Sequence, residues 1–182
     1  MWSAISAEED LTVDYKSLPI GESAPVIVNA VVEIPSGSSN KYEYDVRLGV
    51  YRLDRVLYSP VHYPADYGFI PSTLAEDGDP LDILILISQP TFPGCLVEAR
   101  PVGMLNMVDD KGVDEKILAV AHSDPRYQRI EDLRSVEPHV LKEIEHFFSV
   151  YKNLEGRTSL TSGWSDRAAA HKRIETYRVK KP

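Results

Sequence analysis

Residues 76–87 read Glu-Asp-Gly-Asp-Pro-Leu-Asp-Ile-Leu-Ile-Leu-Ile, and no other stretch restricts the fold as much. Residues 83–87 are a short, unbroken apolar run of the kind a strand shows when both of its faces are buried. Directly ahead of it, three aspartates crowd around a glycine and a proline. Carboxylates this close repel one another and raise each other's pKa unless a cation sits among them. Hard divalent cations take oxygen ligands and can hold such a group ionised. A solvated acidic turn satisfies the same letters, so two readings stay open until the rest of the chain is considered.

The 182 residues suffice for one domain with a substantial core. Residues 26–34 are rich in β-branched side chains and predict a strand, stopped by Pro35-Ser36-Gly37-Ser38-Ser39. Residues 41–47 and 50–57 alternate polar and apolar around Leu48-Gly49 and predict a hairpin. Two more strands are expected at 96–108 and 115–121, joined by Asp109-Asp110-Lys111-Gly112; Pro101 inside the longer one implies a bulge or an edge. The period then changes. Val140, Leu141, Ile144, Phe147, Phe148 and Tyr151 recur at helical spacing within 138–152, with Ser135 or Glu137 placed to cap the helix and Pro138 in its first turn. A shorter helix is expected over 166–177, with Ser165 as its N-cap. Strands first and helices after predict an α+β fold, mainly β: most simply a small closed or nearly closed barrel with helices packed outside.

Charge removes some functions. The formal net charge is −8, whereas a nucleic-acid surface has a basic footprint. An acidic protein can still take a polyanionic substrate when bound metal ions reverse the local field. No apolar run approaches the ~20 residues needed to cross a bilayer. Residues 1–10 are acidic without a basic stretch, so no secretory leader is expected there. Cys95 is the single cysteine, which rules out an intramolecular disulfide and fits a reducing cytoplasm. Its turn, Pro93-Gly94-Cys95, offers no activating base, and we read it as structural.

A second acidic turn runs from Asp109 through Asp114 to Lys116 and again enters an apolar strand. If strand geometry begins at Asp114, then Asp114 and Lys116 share a face. Two such turns can converge at the mouth of a barrel. Lys41 and Glu43 share a strand face, Arg55 follows Asp54, and Tyr63 and Tyr67 lie on a proline-locked extended segment over 63–71. Tyr151-Lys152 ends the long helix. Each of these has an ordinary structural reading as well, since buried tyrosines find hydroxyl partners and lysines favour helix C-termini. An EF-hand starting at Asp77 fails, because its fifth, sixth and twelfth positions are Leu81, Asp82 and Ser88. Phosphate-loop, dinucleotide, H-E-x-x-H and G-x-S-x-G motifs are absent from the sequence. What remains is an oxygen-only metal site with Lys, Arg and Tyr donors. Phosphoryl transfer needs those parts: charge neutralised on the phosphate oxygens, an activated water and a carboxylate to take its proton.

Taken together, Val32-Glu33-Ile34-Pro35, Lys41-Tyr42-Glu43, Asp54-Arg55, Tyr63-Pro64-Ala65-Asp66-Tyr67-Gly68, Glu76 to Asp82, Asp109 to Lys116 and Tyr151-Lys152 closely resemble the soluble family I inorganic pyrophosphatases of the bacterial type. The resemblance runs in that family's order from about Lys16 to Tyr177. It implies one domain over 1–182 with its core at about 16–177, folded as a five-stranded OB-like barrel with flanking C-terminal helices. It implies hydrolysis of pyrophosphate to two orthophosphates with several Mg²⁺ ions, for which Mn²⁺ or Zn²⁺ could substitute. Asp77, Asp82 and Asp114 would ligate the activating metals, Asp109 a substrate-borne ion, and Glu33 a further one through water. Asp79 would be the general base. Lys41, Arg55, Tyr67, Lys116, Tyr151 and Lys152 would bind the phosphates, with Glu43 and Tyr63 supporting the cavity. A cytoplasmic homohexamer of two trimers is implied too, with no nucleic acid or membrane as partner. Two positions depart from the family's pattern. Arg157 stands in a stretch that is usually lysine-rich, and Val150 follows His146 where some members carry a second histidine. Two other functions compete with hydrolysis: an OB-type nucleic-acid-binding module, which the charge of −8 opposes, and an inactive metal-binding protein of this fold, which the presence of Asp79, Lys41 and Arg55 opposes.

Overall fold

The structure, a computed structural model, describes residues 13–110 and 112–179. The acidic stretch 1–10, expected to hold no secretory leader, and Lys111 of the second acidic turn lie outside the described residues.

Among the described residues, nine strands and two α-helices follow in chain order. They are β1 (Val28–Ile34), β2 (Asn40–Asp45), β3 (Val50–Val56), β4 (Asp66–Phe69), β5 (Asp82–Leu86), β6 (Leu96–Asp109), β7 (Gly112–Val113), β8 (Lys116–Ala121), α1 (Pro138–Val150), β9 (Ser159–Asp166) and α2 (Arg167–Tyr177). Five strands close on themselves. β1 pairs antiparallel with β4, β4 with β5, β5 runs parallel to β8, β8 is antiparallel to β6, and β6 returns to β1. This ring is the expected five-stranded, OB-like barrel, and closure leaves its members no free edge. The β2–β3 hairpin forms a separate two-stranded sheet, and β9 adds to the outer side of β6.

The unbroken apolar run now has its explanation. On β5 and β8, Leu84, Leu86, Leu118 and Val120 pack with Ile144, Phe147 and Phe148 of α1. The alternate residues Ile83, Ile85, Ile117, Ala119 and Ala121 pack in a second cluster with Ala170 and Ile174 of α2. Both faces are dry, and each fully buried Leu or Ile contributes about 1.5–3 kcal/mol. The ring is tight at Gly68, where an added Cβ would lie 1.9 Å from the Val31 carbonyl oxygen.

Small differences from the sequence reading have physical causes. Pro101 does mark a bulge: the β6–β8 register shifts between Pro101 and Gly103. The second helix is capped by Asp166, whose carboxylate accepts from the Ala169 amide at 3.0 Å. Ser165 is unavailable because it pairs with Met104 in β9 and its hydroxyl donates to Asn106 Oδ1. Glu137 is the N-cap position of α1 but makes no side-chain cap bond, and Pro138 opens the helix.

Candidate active site

The acidic loop ahead of β5 is pinned at both ends. The Ala75 amide donates to the Asp79 carbonyl at 2.8 Å, and the Gly78 amide to the Ala75 carbonyl at 3.1 Å, with Gly78 at φ +89° where a side chain would be strained. The Asp79 amide donates to Asp77 Oδ1 at 3.1 Å, a local aspartate turn. Leu81, buried, anchors the exit by accepting from the Ile70 amide and donating to Thr73 Oγ1 at 2.9 Å. Fixed this way, the loop directs Asp77, Asp79 and Asp82 into one cavity of about 350 Å³.

The other walls of that cavity come from across the fold. β1 supplies Glu33, the β2–β3 hairpin Lys41, Glu43, Asp54 and Arg55, and β4 Tyr67. The end of β6 and the turn into β8 bring Asp109, Asp114 and Lys116, and the end of α1 brings Tyr151 and Lys152. Every residue singled out from the sequence lines this space except Tyr63. That ring is buried behind it, 5.4 Å from the Tyr67 ring and 4.8 Å from Phe147. Lys16 and Arg157 also line the cavity. Sequence reasoning passed over Lys16, and nothing short of its spatial partner could have singled it out.

Charge pairing organises the interior. Lys116 is 2% exposed, and its ammonium donates to both Asp82 Oδ2 and Asp114 Oδ1. Burial alone would lower its pKa, but the two aspartates outweigh that and hold it raised. Lys152, also buried, donates to Asp109 Oδ2 at 2.8 Å, and Arg55 Nε to Glu155 Oε1 at 3.0 Å. Lys41 is bonded to Glu43 and stands 3.6 Å from Asp54. Arg157 grips Asp110 through Nη2 and Nε at 2.8 and 3.2 Å. Lys16 Nζ reaches Asp79 Oδ1 at 3.1 Å.

Two carboxylates remain short of compensation. Burial pushes Glu33 up to about 7, against a 2.9 Å bond from the Tyr44 amide. Burial likewise raises Asp114 despite Lys116 beside it. Burial also raises Tyr67 and Tyr151, so their phenols stay protonated donors. Among the described residues no group of three or more His, Cys, Asp or Glu side chains is already gathered to hold a metal ion. The Lys116 ammonium occupies the place between Asp82 and Asp114 instead. The donor set nevertheless fits hard divalent cations, since it is all carboxylate and includes desolvated acids that gain from added positive charge.

A closed OB-like barrel with an acid-rich cavity fringed by Lys, Arg and Tyr is the architecture of a hydrolase for a small polyanion. A family model described as inorganic pyrophosphatase matches residues 30–180. The inorganic pyrophosphatase of Thermus thermophilus is 53% identical over 160 residues, covering 86% of this chain and 91% of that protein. That of Methanosarcina acetivorans is 55% identical over 144 residues, covering 79% and 86%. The crystal structure of inorganic pyrophosphatase from Thermus thermophilus superposes with a TM-score of 0.89 at 49% identity, over 92% of this chain and 97% of that one. The chain belongs to the inorganic pyrophosphatase family, and its reaction is the hydrolysis of pyrophosphate.

Proposed function

We propose that this hydrolysis is Mg²⁺-dependent and takes place in the cavity before β5, with Asp79 as the general base. The observation that carries the reading is spatial: residues from seven separate segments, all but Tyr63 of those expected, face one cavity. Asp77, Asp82 and Asp114 would hold the activating cations, Asp109 one that arrives with substrate, and Glu33 a further one through water. When bound, such cations neutralise phosphate oxygens and acidify a water. The Asp79 carboxylate would take a proton from the attacking water as the water oxygen bonds to one phosphorus; the bond from that phosphorus to the bridging oxygen breaks, and the bridging oxygen leaves with the second phosphate. Lys41, Arg55, Lys116 and Lys152 hold the two phosphates and offset their charge, while the Tyr67 and Tyr151 hydroxyls donate to them. Glu43 orients Lys41 through their direct bond, and Tyr63 backs the Tyr67 ring. Arg157, lining the same cavity, stands ready to take the part of the family's lysine.

Phosphate release should be measured with pyrophosphate, triphosphate and ATP, each with Mg²⁺, Mn²⁺, Zn²⁺ or a chelator. Release from pyrophosphate with Mg²⁺, weaker rates with Mn²⁺ or Zn²⁺, and little from ATP are expected. Equal release in chelator would remove the metal from the reaction. The resemblance also supports a cytoplasmic homohexamer of two trimers. Val46, Leu48, Val50, Leu53 and Tyr58, all about half exposed or more on or beside the hairpin, are apolar surface that such an assembly would cover. A monomer mass by light scattering would exclude it.

A further inference from the structure

We propose that Lys16 is a positioning residue for the hydrolytic reaction: it holds the Asp79 carboxylate in register with the cavity. The inference rests on the reading of Asp79 as general base. Lys16 lies before the span that matches the family model. Its Nζ donates to Asp79 Oδ1 at 3.1 Å, and both side chains line the cavity. A bond to one carboxylate oxygen fixes the rotation of the whole group, and so sets where Oδ2 stands relative to an attacking water.

The turn that carries Lys16 is built to be rigid. Asp14 caps the short 3₁₀ turn Tyr15–Ser17 by accepting from the Lys16 amide at 3.1 Å and from the Ser17 hydroxyl. The Lys16 carbonyl accepts from the Ser72 amide at 2.9 Å, and the Leu18 carbonyl from the Ser72 hydroxyl at 2.8 Å. Ser72 stands at the head of the loop that carries Asp79, so lysine and aspartate are tied to one piece of backbone. Ser72 adopts φ +55°, a conformation that side-chain-bearing residues rarely take and that its surroundings must impose. On the other side, the Tyr15 ring packs edge-on against Tyr44 and Tyr51 of the hairpin, with centroids 5.0 and 5.4 Å away. The turn thus braces the base-bearing loop against the hairpin that carries Lys41 and Arg55.

Stability does not account for the bridge. The Asp79 side chain is 64% exposed and that of Lys16 34%, and ion pairs this open contribute little to folding. A general base, by contrast, loses much of its effect when its oxygen is misplaced by a fraction of a bond length.

A double-mutant cycle on the full chain with Mg²⁺ and pyrophosphate tests the proposal, with thermal midpoints confirming that each variant is folded. Lys16→Met should lower kcat on the order of tenfold, with KM changed less than about twofold. Lys16→Arg should recover most of that loss. In an Asp79→Asn background, Lys16→Met should change kcat by less than about twofold, because there is no base left to position. Full, additive losses in both backgrounds, or a raised KM at unchanged kcat, would overturn the positioning role; the latter would make Lys16 a phosphate ligand. A fallen midpoint with unchanged kcat per folded molecule would overturn it in favour of a structural part. Wild-type kcat in Asp79→Asn alone would instead sink the general-base reading, a failure distinct from an impaired Asp79→Asn paired with a neutral Lys16→Met.

Discussion

The Lys116 ammonium joins two loops that sequence alone keeps 32 positions apart, bonding Asp82 at the start of β5 and Asp114 just ahead of β8. Removing a single partner from so buried a cluster leaves unopposed charge, which is why the three groups stand or fall together. Glu33 lacks a comparable partner, and its folded pKa of about 7 exceeds the ordinary value of 4.5. The folded state therefore binds the Glu33 proton more tightly than the unfolded one. Its contribution to stability is complete below about pH 4.5 and is lost as pH rises through 7. In chelator, urea unfolding at pH 5 and pH 8 should show the wild type losing on the order of 2 kcal/mol relative to Glu33→Gln. Parallel pH slopes for the two proteins would show that the burial of Glu33 has no energetic consequence. The site residues were legible because charge is concentrated in a few short segments with strands behind them. Lys16 was not, since one lysine in a turn carries no signal until Asp79, 63 positions on, is seen beside it.

Close backbone approach decides what the elements tolerate. At Gly68 a methyl group would meet the Val31 carbonyl oxygen at 1.9 Å and the Val32 Cα at 2.9 Å, and these are main-chain atoms that cannot swing aside. Gly68→Ala should cost about 3 kcal/mol or more, read as a lowered urea midpoint, because β1 and β4 must part to admit it. An unchanged midpoint would mean that the ring yields there. Strands with apolar, β-branched runs were visible in the sequence, and so was the 138–152 helix with its Ile144, Phe147 and Phe148 stripe. β9 was not. Its sequence, Ser-Leu-Thr-Ser-Gly-Trp-Ser-Asp, has no clean alternation, and it is held by backbone pairing to β6 while much of its length stays open to solvent. β4 was legible only as extended chain within 63–71: it has four residues, all buried, between Pro64 and Pro71, with no alternation to mark a strand.

The molecule as a whole carries a formal charge of −8 and brings eight of its 28 acidic residues to one mouth. Cations that bind the folded mouth and not the unfolded chain raise stability by mass action. Adding Mg²⁺ at about a hundred times its dissociation constant should raise stability by about 2.7 kcal/mol, seen as a higher thermal midpoint that a chelator reverses. A midpoint indifferent to Mg²⁺ would contradict the proposed ligands. A barrel with an outer helix pair could be expected from the sequence, and five strands from the family resemblance, but not which strands close the ring, because ring order depends on contacts between distant segments.

That closing seam sets an order of events during synthesis. Val28–Val31 of β1 pairs with Leu96–Ala99 of β6. A nascent chain still tethered before residue 96 can have made its whole Asp-Gly-Asp-Pro loop and yet have nothing on which to shut the cylinder. Until β6 leaves the ribosome, that stretch of β1 lacks its native neighbour, and an unpaired apolar strand edge is a site for mispairing.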